Sequence, residues 1–179
     1  VFMAGLIVRE LGGGRRAEWV AALAALIMPT YLGMSHFYSM NCFDALFWAL
    51  LSWMAIRTLL HEQPDSWLVF GLIAGVGLMN KISVGFLGFG FVVGLLLTPQ
   101  RSHLLRPWPW LGGLIALAIF FPHLVWQMQH DWPTLEFQAN ARAFKNVSLS
   151  MFEFAGDQVL FAGPSTLPLW LAGAGGLLF

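Results

Sequence analysis

The sequence predicts an all-α fold, a polytopic transmembrane helical bundle, and three observations carry that prediction. Hydrophobic residues make up 58% of the 179-residue chain and charged residues only 10%, against about 25% charged in a soluble domain. Apolar runs recur along the chain, separated by short polar or Pro- and Gly-containing connections. Aromatic side chains are plentiful, with 9 Trp and 16 Phe, as lipid-facing surfaces and interfacial anchors require.

Hydropathy divides the chain, as part of one transmembrane domain over residues 1–179, into a partial apolar segment at 1–8 and spans near 19–38, 43–60, 66–80, 82–97 and 108–127. A further partial segment covers 167–179. Pro64-Asp65-Ser66 and Thr98-Pro99-Gln100 supply turn and cap signals between spans. Gly71-xxx-Gly75 and Gly90-xxx-Gly94 predict close helix approach in the 66–97 hairpin. The 128–164 segment is too long and too patterned for a slack connection. Leu135, Phe137, Ala141 and Phe144 fall broadly on one side at helical spacing, and Ser150 with Glu153 fits a capping box. Two short amphipathic helices are expected there, lying over the outer ends of the spans. Val1 is not an initiator Met and Phe179 falls inside an apolar run, so the chain reads as an internal slice of a longer polytopic protein.

Six basic residues (Arg9, Arg15, Arg16, Arg57, Arg101, Arg106) fall on one side of this layout and three (Lys81, Arg142, Lys145) on the other. The positive-inside rule makes the first side cytoplasmic. The ends of the spans around His36–Asp44, Lys81 and the 128–164 loop are then extracytoplasmic. A net charge of zero gives no reason to expect nucleic acid as a partner, and a single cysteine, Cys42, excludes an internal disulfide or a thiolate metal cluster. Gly12-Gly13-Gly14-Arg15-Arg16 lacks the Gly-Lys-Ser/Thr ending of a phosphate loop and reads as a tight turn. No pair of histidines has ligand spacing, so no metal site is assigned.

The polar break at Asn80-Lys81 stands out most. It interrupts an apolar stretch from Trp67 to Leu97, and an ionisable group at membrane depth costs roughly 2.5–3.5 kcal/mol on insertion scales. Each apolar half is about 15 residues, or roughly 22 Å of helix against a hydrocarbon core of about 30 Å, which would set the tip below the membrane surface. Lys81 is either a snorkelling helix end or a cation for an anionic head group. Asp44 is either a cap for the 43–60 helix or a partner for Lys81 or a sugar hydroxyl. On the 128–164 loop, Arg142 offers a bidentate cation, Glu136 a carboxylate, and Trp126 and Trp132 flat faces for a sugar or anchors at the interface. The candidate donor-phosphate or substrate-binding residues are therefore Lys81, Asp44, Asn80, Arg142, Trp132 and Glu136.

The order and spacing of these residues resemble bacterial family 39 glycosyltransferases of the GT-C type, which include protein O-mannosyltransferase-like and aminoarabinose-transferase-like enzymes. The resemblance rests on Arg9 to Glu18, Pro29, Phe37 to Asp44, Gly71 to Lys81, Leu97 to Arg101, His130 to Phe137, Asn140 to Arg142 and Lys145-Asn146. It implies transfer of a sugar from a polyprenyl-phosphate carrier to lipid A, a glycan or a protein. Such an enzyme sits in the bacterial inner membrane with its active face periplasmic. In such enzymes an acidic residue of the first periplasmic loop is the catalytic base, in some members with a divalent metal nearby. That loop would precede Val1, so neither catalytic base nor cofactor is assigned within these residues. By the same resemblance Asp44 and Lys81 lie near the donor phosphate, with Asn80 where many relatives carry Thr. A transporter or flippase fragment is the alternative, since it too would carry intramembrane charge and Gly-interrupted helices, but no second copy of the Asn80-Lys81 hairpin is present.

Overall fold

The computed structural model describes residues 1–178, and among them the only regular secondary structure is helical, with no strand. Phe179, the last residue of the predicted 167–179 segment, lies outside the described residues. Helices α1 (Phe2–Glu10) and α2 (Arg15–Ile27) form a hairpin closed by bidentate bonds from Arg9 to Glu18 at 2.9 and 2.7 Å. Its turn places Gly12 at φ +83° and packs Gly13 against Val8 so closely that a Cβ would collide with the Val8 side chain. Two glycines are needed here, Gly12 for the turn and Gly13 for the close approach.

The predicted span 19–38 is broken. Met28 is extended, Pro29 opens α3 (Pro29–Ser35), and the axis bends by 58°. Proline removes a helical N–H and pushes the residue before it out of the α region, so two helices result where apolar continuity suggested one. Helix α4 (Met40–His61) begins three residues earlier than expected. Ser39, not Asp44, is its cap, accepting from the Asn41 N–H at 3.3 Å.

Helices α5 (Ser66–Asn80) and α6 (Ser83–Leu97) form the hairpin, and α6 turns by 114° into a 3₁₀ segment at Pro99–Leu105. Then follow α7 (Pro107–Gln129), α8 (Pro133–Phe144), α9 (Met151–Ala162), a 3₁₀ turn at Pro164–Thr166 and α10 (Leu167–Leu178). The Ser150–Glu153 capping box forms, with both reciprocal bonds present. Among the described residues α4 and α7, at 22 and 23 residues, are each long and apolar enough to cross a membrane. The bent pairs α2 with α3 and α6 with its 3₁₀ extension add two more where each is one span. Helix α5, at 15 residues, is shorter than a full crossing.

Four helices share the core. Leu51 of α4, Ala74 of α5, Val84 of α6 and Ala116 of α7 pack together, surrounded by Phe47, Phe70, Ile73 and Leu78. Helix α5 lies along α7 at glycine-permitted distance: a Cβ on Gly71 would strike the Gly112 carbonyl, and one on Gly75 would lie 2.8 Å from Ile119. Gly71 faces Gly112 while Gly75 faces Ala116 and Ile119, so the two helices run parallel. Of the two predicted small-residue pairs only Gly71 and Gly75 are used in this way; Gly90 and Gly94 have no neighbour within 4 Å. The outward face of α6 leaves Phe86 and Phe89 about 70% exposed, as a lipid-facing surface would (72% and 70%).

Candidate functional site

Helix α5 ends because Lys81 turns extended (φ −158°, ψ 134°) while its N–H still closes the last turn on the Gly77 carbonyl at 2.8 Å. Two residues later Ser83 opens α6. The first turns of antiparallel α4 lie beside this tip. Asn80 donates from its amide nitrogen to the Met40 carbonyl at 3.0 Å and so fastens the tip to α4. The Lys81 ammonium donates to Asn41 Oδ1 at 2.9 Å and pairs with Asp44 Oδ2 at 3.3 Å. Ser83 donates its hydroxyl proton to Asp44 Oδ1, and Trp48 Nε1 approaches Ser83 Oγ at 3.4 Å.

Asp44 sits one turn inside α4, so its carboxylate serves Lys81 and not the helix end. The pair is partly buried, with side-chain exposures of 32% for Lys81 and 15% for Asp44. Pairing and the Asn41 bond lower the cost of holding the charge partly away from water. An ammonium has three N–H donors. Two are engaged, by Asn41 and Asp44, and the third has no protein acceptor among the described residues. The arrangement is a fixed cation with one hydrogen bond to give, the requirement for an anionic oxygen.

The loop candidates are elsewhere. Trp132, Glu136 and Arg142 are all exposed at or on α8, and no hydrogen bond or ion pair among the described residues joins them to Lys81, Asp44 or Asn80. Parallel packing sets the depth: with Gly71 opposite Gly112, α7 runs about eight residues, or roughly 12 Å, beyond the level of Asn80 before it ends. Lys81 is thus recessed and α8 lies farther out. Asp131 (φ 57°) and Trp132 (φ 59°) form a left-handed corner between α7 and α8. Buried Gln127 holds it, accepting from the Thr134 N–H at 3.2 Å and donating to Thr134 Oγ1. His123 and His130 stack beside Trp126, with ring centroids at 6.1 and 4.6 Å, and leave the indole 45% exposed.

Sequence reasoning missed Ser83 and Trp48. Ser83 was absorbed into the apolar span 82–97; a lone hydroxyl two residues after the only intramembrane lysine was the available signal. A separate cavity of about 590 Å³ lies between α1, α2, α3, α4 and α10. Its wall is chiefly apolar and holds neither Lys81 nor Asp44; Trp48 borders both the cavity and the tip.

Fold and tip together define a polytopic all-α membrane protein with a recessed cation at a helix break. Residues 2–126 match the model of the dolichyl-phosphate-mannose-protein mannosyltransferase family. That match covers more than half of the chain, which belongs to this family and is a membrane-embedded glycosyltransferase of the GT-C type. Membership brings a lipid-linked sugar donor and an acceptor as the general partners. The matched stretch contains Asp44, Asn80 and Lys81 and stops before Trp132, Glu136 and Arg142. No curated protein and no solved structure matches the chain.

Proposed function

We propose that the protein transfers a sugar from a polyprenyl-phosphate carrier to an acceptor at the periplasmic face of the bacterial inner membrane, and that Lys81 binds the phosphate of the donor. The observation that carries this reading is the third N–H of the Lys81 ammonium, left free while Asn41 and Asp44 hold the other two. In the reaction an acceptor oxygen forms a bond to the anomeric carbon as the bond from that carbon to the phosphate oxygen breaks. The acceptor proton passes to a base that is not assigned to the residues described, and the leaving electron pair settles on the phosphate. A preorganised cation stabilises charge where it develops, in a site shielded from water. Asp44 and Asn41 orient that cation, and Asn80 fixes the tip. The chiefly apolar cavity beside Trp48 offers room for part of the isoprenoid chain. Among the described residues no group of three His, Cys, Asp or Glu side chains converges.

The test is transfer of a radiolabelled sugar from its polyprenyl phosphate by membranes carrying the intact protein, wild type beside Lys81→Ala. Loss of a preorganised charge-stabilising donor lowers turnover by on the order of 10²–10³-fold, and that is the expected result at equal expression and insertion. Equal transfer by both proteins would return Lys81 to the role of a snorkelling helix end. Supplying lipid A, glycan or protein acceptors in turn reads the acceptor class.

A further inference from the structure

The tip contains two polar contacts that the phosphate reading does not use. Asp44 has two carboxylate oxygens, and the structure gives them different partners: Oδ2 faces Lys81, while Oδ1 accepts the Ser83 proton. Ser83 Oγ in turn lies 3.4 Å from the indole N–H of Trp48. These residues come from separate elements, Trp48 and Asp44 from α4 and Ser83 from the first position of α6.

We propose that Ser83 is a positioning residue for the donor phosphate, acting through Asp44, with Trp48 in support. A carboxylate beside a phosphate-binding lysine is also a competitor for the ammonium. Left to rotate, it can turn both oxygens onto the lysine and draw in the N–H that a ligand needs. The Ser83 hydroxyl holds Oδ1 and leaves Oδ2 alone to face Lys81, at 3.3 Å. Asp44 then orients the ammonium without engaging all of it. Trp48 donates to Ser83 Oγ, which biases the hydroxyl proton toward Asp44. At 3.4 Å its contact is long for an N–H···O bond, so its share is the smaller one.

This inference rests on the phosphate reading, and the experiment separates the two. Binding of a polyprenyl phosphate to the detergent-solubilised intact protein is measured together with the KM and kcat of donor turnover. The variants are Ser83→Ala, Ser83→Thr, Asp44→Asn, the double variant Ser83→Ala/Asp44→Asn, and Lys81→Ala. Losing a hydrogen bond to a charged group predicts about tenfold weaker binding and a matching rise in KM for Ser83→Ala, with kcat changed less. Ser83→Thr keeps the hydroxyl and restores binding to within about twofold of wild type. Once Asp44 is Asn there is no competing carboxylate to restrain, so adding Ser83→Ala changes binding by less than about twofold, the non-additivity expected of two residues in one network. Ser83→Cys, close in size with a weak donor, replaces Ser83→Ala if the latter fails to insert. Wild-type binding in Ser83→Ala, or an equal loss with and without Asp44, overturns the positioning role. Wild-type binding in Lys81→Ala overturns the phosphate site itself, and the role of Ser83 with it.

Discussion

Helix α4 carries a carboxylate–cation cluster at each end, and the two clusters are arranged differently. At its start Asp44 meets Lys81; at its finish Arg57 and His61 grip Glu10 of α1. Arg57 Nη1 donates to one Glu10 oxygen at 2.8 Å, and His61 Nε2 lies 2.8 Å from the other. Arg57 also sits over the Trp53 ring, 5.6 Å from its centroid. Both Glu10 oxygens are taken by side chains of α4, and the result is a brace between α1 and α4. At the other end one ammonium proton of Lys81 has no protein acceptor among the described residues. An ion pair alone says little about function. A cation held at a helix break by side chains of a neighbouring helix, and two-thirds covered, says more.

Charge exchange is the strongest way to break this comparison. Arg57→Glu sets like charges together at the brace, and Glu10→Lys in the same protein restores an attractive pair. The double variant should regain most of the thermal midpoint lost by Arg57→Glu, a loss on the order of a few degrees for a partly exposed pair. The corresponding exchange at the tip, Asp44→Lys with Lys81→Asp, should restore insertion and folding in the same way yet leave transfer reduced by about 10²-fold or more, because the cation is no longer where the charge develops. Equal rescue of activity at both ends would erase the distinction between brace and site. Thermal midpoints in detergent and transfer assays on the same preparations give the answer.

A smaller effect sharpens the structural side. Hydrogen bonding to His61, and then to Arg57, holds the Glu10 carboxyl below its ordinary range, while partial burial pulls the other way. For a carboxylate lowered in the folded state, the stabilisation is complete above the ordinary carboxylate range, roughly pH 4–5. It is lost as pH falls through the lower folded value. Glu10→Gln should therefore be less stable than wild type near neutrality, and the gap should close as the solution is acidified through that window. A gap that stays constant with pH would mean that Glu10 acts through packing and not through its charge.

Much of this architecture was legible because it depends on neighbours in sequence. Apolar runs bounded by Pro64-Asp65-Ser66 and Thr98-Pro99 mark helix limits locally, and α5 and α6 begin and end close to where those signals fall. The Ser150–Glu153 box is local too. What escaped needed either a competition or a third dimension. Asp44 was the expected cap of α4, and only the backbone path selects Ser39 in its place. Apolar residues on both sides of Met28–Pro29 conceal a 58° bend. The partnership of Asp44 with Ser83 spans 39 residues and two helices, and a lone serine in an apolar run gives no sign of it. Depth was legible in outline from the length of the hairpin halves, but the roughly 12 Å recess requires the register of Gly71 on Gly112, which only packing sets.

The smallest expected effect concerns the outer region. Arg142 lies in the last turn of α8, exposed, with no salt bridge among the described residues. There its charge suits the helix C-terminus, a contribution of about 0.3–1 kcal/mol, and nothing directs it toward Lys81. A lysine that is recessed, paired and oriented acts on one fixed position; a cation on an exposed helix is screened by solvent and counterions. Arg142→Ala should therefore change donor KM by no more than about threefold, and that change should shrink as salt is raised over the range where surface charge is screened. Lys81→Ala should keep its defect at every salt concentration. A large, salt-independent loss in Arg142→Ala would mean that α8 closes over the tip during turnover and delivers a second cation to the same phosphate.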